Sequence, residues 1–494
     1  MSLAEHLRQA AQEAEQQQFQ IEQDSNRLWL HLMPPVGWMN DPNGLCQFHG
    51  TYHVFYQYSP LDPNGSMKAW GHYASKDLVT WEQMEAPLFP DERFDQDGVY
   101  SGSAFIANDQ MHLFYTGNVR QPGEYDYTYT GREANTVLVT SRDGIHFDRK
   151  QVVMTNADYP ASYSCHIRDP KVWKENDRYY MIQGGRKKKY PEEYAGKNLE
   201  LTDYGTVLIF SSKDLVHWSF EKDITTKNRF GYMWECPDYF RLKGRPILSV
   251  SPQGLESQEY RYQNIYQSGY FLLNQEVISR ENAEVVPEPE QFHEWDMGFD
   301  FYAPQTFCDE RGRRILIGWA GIPDADYDNK PTVDAGWQHA LTLLRELVWE
   351  NGKLLQNPVE EYKSLRGAEL SVNGSFSAVS PVFEIEASNI PADFRMIAAN
   401  GDHGFRIHYE FGVLKFSLTE EAGRGRTCRQ VQIEELRSIR IIVDTSLVEI
   451  YINGGETVIT SRFYFPDDRR EILIQGARDA KLWYLDGLEI LTEC

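Results

Sequence analysis

The run "WMNDPNGLCQFHGTYHVFYQY" (38–58) reads as a turn feeding a β-strand region. Asp41-Pro42-Asn43-Gly44 is strong turn chemistry, and the aromatic, β-branched stretch behind it has strand composition. Similar pairs recur down the chain. Strand-like runs stand at "TYHVFYQY" (51–58), "QMHLFYTG" (110–117), "RYYMIQGG" (178–185), "GRPILSVS" (244–251) and "RRILIGWAG" (313–321). Upstream of them lie five related starts: "MNDPNGL" (39–45), "YSGSAF" (100–105), "IRDPKVW" (167–173), "ECPDYF" (235–240) and "FYAPQTF" (301–307). Proline marks the register: Pro42 to Pro170 spans 128 residues, or twice 64, and Pro170 to Pro237 and Pro237 to Pro304 span 67 each. A third family of segments, "SKDLVTW" (75–81), "SRDGIHF" (141–147) and "SKDLVHW" (212–218), follows in the first three units.

Short strands repeated five times predict an all-β radial architecture, a five-bladed β-propeller over residues 28–350, rather than any βαβ fold. An irregular β-sandwich with chance likeness between strands is the competing reading. Residues 1–27 form a polar, amphipathic helical extension with Leu3, Leu7, Ala11 and Ala14 on one side. Residues 351–366 read as a bridge, with a Gly-containing hairpin turn and a short helical stretch after Pro358. From 367 to 494 alternating runs such as "FRIHYEFGVLKFSL", with Asn453-Gly454 as a hairpin turn, predict a closing β-sandwich.

Lys and Arg total 49 against 73 Asp and Glu, a net charge of 49 − 73 = −24, which argues against nucleic acid or anionic membranes as partners. A small polar ligand fits better, and a local basic pocket can still hold an anion. The N-terminus lacks the basic start and apolar core of a secretory signal, and no window is apolar enough to span a bilayer, so a cytoplasmic protein is expected. The six cysteines, Cys46, Cys165, Cys236, Cys308, Cys428 and Cys494, show no metal-ligand spacing and read as reduced thiols. Nothing in the sequence signals an oligomeric state.

In a propeller the first strand of each blade lines the central channel, so the strand starts converge at one mouth. Three starts carry a carboxylate, Asp41, Asp169 and Glu235, read as matching positions of the repeat, and that match is what singles them out for chemistry. Two carboxyls with separated pKa values are the working parts of glycoside hydrolysis. Asp41 sits in a turn rich in amide donors, an environment expected to keep it ionised. Glu235 lies between Trp234 and Cys236, apolar neighbours expected to raise it towards a general acid. Asp169 follows Arg168, whose charge is expected to keep it ionised and oriented. Among the aromatics Trp38, Tyr56, Trp70, Tyr100, Trp234, Tyr302 and Trp319, about half are expected to pack between blades. Those beside a blade-start turn, Trp38, Tyr100 and Tyr302, are the better sugar-stacking candidates.

The motifs "WMNDPNG" (38–44), "SGS" (101–103), "RDP" (168–170), "ECPD" (235–238) and "DFYAPQ" (300–305) resemble the set found in glycoside hydrolase family 32, the β-fructofuranosidases. The likeness runs from about His31 to "VEIYINGGETVITSRFYF" (448–465). It implies a five-bladed propeller joined to a β-sandwich, retention at the anomeric carbon of fructose, and no metal or organic cofactor. Carried over by position, it makes Asp41 the nucleophile, Asp169 the transition-state stabiliser and Glu235 the acid/base. Asn40, Gln57, Trp70, Ser101, Arg168 and Trp319 match positions that line the fructose subsite. Two departures fall on the leaving-group side. Ile167 replaces the usual aromatic before "RDP", and "DPNG" (62–65) stands where many members have a Trp before "WGH".

The resemblance implies hydrolysis of sucrose or sucrose 6-phosphate. "GGRKKKY" (184–190) places Arg186, Lys187, Lys188 and Lys189 after the third blade's second strand, with Arg186 and Lys188 as candidate phosphate or leaving-group contacts. The competing reading of that run is a solvated charged loop. Two further readings are an exo-hydrolase of inulin or short fructo-oligosaccharides and a non-catalytic sugar-binding propeller. Retention of all three carboxylates argues against the latter.

Overall fold

The computed structural model describes residues 2–188, 202–278 and 285–492. Five sheets come first. The opening one is built on Gly37–Phe48, Thr51–Ser59, Ala69–Ser75 and Thr80–Leu88. Each of the other four has four antiparallel strands in chain order, led by Val99–Ala107, Tyr163–Glu175, Met233–Leu242 and Tyr302–Cys308. Each leading strand lies against the next, and the fifth lies against the first, so the five close into a ring. Polar ties cross it: Ser103 Oγ donates to Pro170 O (2.7 Å), the Thr306 N–H to Asp238 Oδ2 (2.8 Å), and Gln305 Nε2 to Gly102 O (2.9 Å).

The leading strands share a local distortion. Pairing with the second strand slips around the proline or its counterpart, as between Met39 and Pro42, Val99 and Gly102, Glu235 and Asp238, and Tyr302 and Gln305. Such bulges re-aim side chains, here towards the axis of the ring. Asp169, Cys236 and Ala303 sit in left-handed backbone at these points (φ 62°, 45° and 48°). Aligning the prolines puts Asp41, Asp169, Cys236 and Ala303 at one repeat position, and Asn40, Arg168, Glu235 and Tyr302 at the position before it. The expectation that the three carboxylates share equivalent positions is therefore corrected. Glu235 is the counterpart of Asn40 and Arg168, one residue upstream of the aspartates.

The third segment family forms one recurrent turn. Ser75, Ser141 and Ser212 accept from the N–H three residues on, at 2.8, 2.9 and 2.9 Å. Asp77, Asp143 and Asp214 each accept from two backbone N–H groups further along. These Asx-type bonds fix the step from third to fourth strand in the first three sheets.

Two six-stranded sheets follow, one from Gly374–Ala378 to Cys428–Gln432 and one from Leu370–Ser371 to Thr457–Arg462 in hydrogen-bonding order. Strands such as Phe394–Asn400 alternate buried and half-buried residues, and the inner faces pack a core that includes Phe383, Phe394, Ile407, Phe416 and Ile450. The bridge region is partly sheet: Lys353–Pro358 is the last strand of the fifth sheet, and Glu360–Leu365 is a 3-10 turn. At the other end Glu489–Thr492 leaves the sandwich and pairs in parallel with Thr80–Leu88 of the first sheet. A bidentate pair, Arg426 to Asp300 (2.7 and 2.8 Å), also joins the two parts. The N-terminal helix Leu3–Glu15 starts at a capping box of Ser2 and Glu5 and buries Ala11, while Leu3 stays exposed. No described helix is long and apolar enough to cross a membrane.

Candidate active site

The bulged strand starts meet around a cavity of about 230 Å³. Asp41, Asp169 and Glu235 all line it, together with Trp38, Asn40, Gln57, Tyr100, Ser101, Arg168, Tyr302 and Trp319. Asp41 Oδ2 accepts from Ser101 Oγ (2.6 Å) and Oδ1 from Asn40 Nδ2 (3.1 Å). The Asn40 amide is itself fixed, because its oxygen accepts from Trp38 Nε1 (2.7 Å) and Lys68 Nζ (3.1 Å), leaving its nitrogen to face Asp41. Asp169 Oδ2 accepts from the Cys236 N–H (2.9 Å), and the Cys236 thiol lies 3.6 Å from both Asp169 Oδ2 and Asp41 Oδ2. Glu235 Oε2 accepts from Tyr302 Oη (2.7 Å) and Gln253 Nε2 (2.8 Å), with Arg168 at 3.7 Å from Oε1.

Glu235 is shifted in the direction its apolar neighbours suggest, and Asp169 is shifted against expectation. Burial raises the Glu235 pKa above the usual range. Arg168 and the bonds from Tyr302 and Gln253 oppose the rise, and Asp41 adds to it. Asp169 was expected to be held ionised by Arg168, but burial outweighs that charge and lifts it to about 7, with Glu235 adding repulsion. Arg168 moves the other way: burial disfavours its charge, yet Glu235 and Asp169 hold its pKa up. Burial also lowers Lys68 to about 8, with Asp41 pulling it back. The cavity therefore holds two acids pushed towards neutrality, Asp169 and Glu235, and one weakened cation, Lys68.

Several sequence candidates lie elsewhere. Trp70 does not line the cavity: it is fully buried, with its indole N–H donated to Tyr100 O (3.2 Å). Tyr56 and Trp234 are likewise core residues. Arg186 is buried with Nε on Asp203 Oδ2 (2.7 Å) and one NH2 on the Tyr129 hydroxyl (2.8 Å), and Lys187 pairs with Asp223, so the basic run is not a solvated loop at these positions. Lys188 is half-buried and outside the cavity wall, and Lys189 lies outside the described residues. The sequence reading missed Lys68 and Gln253. Lys68 had one signal, a lone cation two residues before Trp70. Gln253 had none, because it reaches Glu235 from the paired strand Arg245–Gln253. In the "DPNG" run that stands in place of the usual Trp, Gly65 has φ 81°, and a Cβ there would stand 2.9 Å from the Trp38 ring.

The model of the glycosyl hydrolases family 32 N-terminal domain matches residues 31–358, and that of the family 32 C-terminal domain matches residues 395–484. The chain belongs to glycosyl hydrolase family 32. As a family 32 protein it is 40% identical over 476 residues to sucrose-6-phosphate hydrolase of Bacillus subtilis (strain 168), covering 93% of each chain. It superposes on sucrose-6-phosphate hydrolase of Lactobacillus gasseri with a TM-score of 0.84 at 27% identity over 97% of both chains. A family 32 β-fructofuranosidase of Bombyx mori gives a TM-score of 0.83 at 29% identity, covering 99% of this chain and 100% of that one.

Proposed function

We propose that this family 32 enzyme is a retaining β-fructofuranosidase that removes the terminal β-D-fructofuranosyl unit of sucrose or sucrose 6-phosphate. The observation that carries the reading is the division of labour in one cavity. Asp41 is aligned by Ser101 and Asn40, while Glu235 is a buried carboxyl with a raised pKa bonded to Tyr302. The Asp41 carboxylate attacks C2 of the fructosyl unit as the Glu235 carboxylic acid passes its proton to the departing glycosidic oxygen. Water then gives a proton to Glu235 and attacks the fructosyl ester, releasing fructose and restoring Asp41. Asp169 faces the same space and bonds the sugar hydroxyls, and the positive charge that develops in the oxocarbenium-like transition state favours its ionised form, which stabilises that state in turn.

The reading includes a five-bladed propeller over about residues 28–350 as the catalytic part, supported by the five sheets and the closed ring of leading strands, and a sandwich beyond it. It also includes a cytoplasmic setting, in keeping with the free thiols of Cys46, Cys165, Cys236, Cys308 and Cys428. A fructo-oligosaccharide hydrolase is the second reading. It is favoured by a neighbouring cavity of about 360 Å³ that shares Trp38 and is lined by Asn64, Asp324, Tyr327 and Gln338, groups suited to further sugar hydroxyls. Fructose release measured side by side on sucrose, sucrose 6-phosphate, short fructo-oligosaccharides and inulin separates the two. Faster turnover of the disaccharides supports the first reading, preference for inulin replaces it with the second, and no fructose from any substrate ends both.

A further inference from the structure

We propose that Arg132 is the docking group for a phosphate dianion carried by the leaving-group sugar, with Lys188 as a second cation beside it. The inference rests on the fructofuranosidase reading and specifies its leaving group.

Topology puts Arg132 on the rim above the carboxylates. In the second sheet Val99 pairs with Gly117 and Gly117 with Asn135, while Arg120 pairs with Arg132 three residues further towards the mouth. At roughly 3.3 Å per residue this places Arg132 about 10 Å outward of the Val99 row. Ser101, which holds Asp41, lies on the inward side of that row. A sugar leaving through the mouth passes this rim.

The chemistry of the position fits an anion. The guanidinium is half-buried and gripped from behind, with Nε donating to Tyr127 O (2.9 Å) and one NH to Asn118 Oδ1 (2.7 Å). Both acceptors are neutral, and among the described residues no carboxylate pairs with it. The adjacent Glu133 turns instead to Arg93 (3.0 Å). Tyr100, a wall of the catalytic cavity, lies against Arg132, and Arg168 is the next cation inward. Burial lowers the Arg132 pKa most, the Arg168 charge lowers it further and Tyr100 offsets part of the fall, so an arriving anion would restore the favoured charged form. Lys188 flanks Cys165 in company with Arg132, which brings the third sheet's cation towards the same spot. Arg186, the other sequence candidate, is paired with Asp203 and buried. In a chain of net charge −24, a dianion reaches the mouth only where local cations outweigh the general repulsion. Bidentate guanidinium recognition is the chemistry that selects phosphate over hydroxyl.

The test is a comparison of kcat/KM on sucrose 6-phosphate and sucrose for the wild type, Arg132→Gln, Arg132→Lys and Lys188→Met, with glucose 6-phosphate and glucose as competing inhibitors. The wild type is expected to favour the phosphorylated substrate. Arg132→Gln should lower the ratio of the two kcat/KM values by about tenfold or more through KM, the loss of one charge-assisted contact. Arg132→Lys should recover part of it, Lys188→Met should lower it less, and glucose 6-phosphate inhibition should weaken in parallel while glucose inhibition does not. An unchanged ratio in Arg132→Gln, or equal losses on both substrates, overturns the proposal. If Arg132→Gln melts early, full phosphate preference with weakened glucose 6-phosphate binding absent in Arg132→Lys and Lys188→Met overturns it equally. A wild type that hydrolyses sucrose with no preference for the phosphorylated form sinks the proposal and leaves the fructofuranosidase reading standing. Hydrolysis of neither removes both.

Discussion

Asp41 and Glu235 are joined to different partners, and the two sets of bonds make separable predictions. Asp41→Ala removes an acceptor shared by Ser101, Asn40 and the Cys236 thiol and no apolar packing, so the fold should persist, while loss of the nucleophile should cut kcat by at least about 10³-fold. A circular dichroism melt beside the sucrose assay checks both. Tyr302→Phe removes a donor that favours ionised Glu235, so the acid's pKa should rise further and the alkaline limb of kcat/KM should move to higher pH. A limb that moves down or stays would contradict the assigned acid. Asp41, Asp169 and Glu235 were legible because each sits on turn chemistry beside a proline that marks the repeat. Lys68 and Gln253 were not, because a sequence does not reveal which side chain from a neighbouring strand reaches a given carboxylate. Arg186 misled for the same reason in reverse: its counter-ion Asp203 lies 17 residues on, across a strand pair. The ionisation of Asp169 was misjudged because one adjacent Arg is visible in sequence and full burial is not.

The element that builds the site is the bulged start of each leading strand, and close packing holds the bulges in place. Gly102 donates its N–H to Asn43 Oδ1 (3.0 Å), and a Cβ there would stand 1.9 Å from Phe114 O. Gly102→Ala must therefore push its strand off its partner and carry Ser101 away from Asp41. We expect a loss of about 2 kcal/mol or more in stability, read by urea unfolding, and a fall of about tenfold in kcat. Near-wild-type values for both would show that the bulge geometry is not what aligns the nucleophile. The repeat was readable at this scale because the same Ser-x-Asp turn and the same proline recur. The offset of Glu235 by one residue escaped notice because only three of the five starts carry an acid. The last strand of the fifth sheet, Lys353–Pro358, was read as a bridge because it is short and follows a Gly turn, with its pairing to Arg345–Glu350 invisible in sequence.

Across the whole molecule the ring and the sandwich meet through a fully buried charge network. His31 Nδ1 lies 2.7 Å from Asp444 Oδ2 and Nε2 lies 3.2 Å from Glu449 Oε1, while Arg345 bonds Glu449 (2.8 Å) and Asp296 (3.1 Å). Burial works against a charged His31, but the bonds to Asp444 and Glu449 outweigh it and raise its pKa above 6.5. Burial would raise Glu449, yet Arg345 and His31 hold it down at about 2. The His31 contribution is therefore fully present below its unfolded value of about 6.5 and is lost as pH rises through the raised folded value. The Glu449 contribution is present above its unfolded value and is lost as pH falls towards about 2. Thermal melts across this range should show Tm declining on the alkaline side. His31→Gln should flatten that decline and cost about 3 kcal/mol at pH 6, since it removes the cationic partner of buried Asp444 and one of the two cations held by Glu449. An alkaline slope equal to the wild type's would exclude His31 as its source. None of this network was legible, because His31 lies more than 400 residues from Asp444 and Glu449, and Arg345 lies 104 residues from Glu449.

The central claim is that Asp41 takes the fructosyl group. In Glu235→Ala, β-fructosyl fluoride needs no acid for departure, while the missing base slows hydrolysis of the ester, so the intermediate should accumulate. Acid quench followed by peptide mass spectrometry should find one anhydrohexose on the peptide that contains Asp41. An adduct on Asp169 or elsewhere, or fluoride release with no adduct at all, would contradict the account.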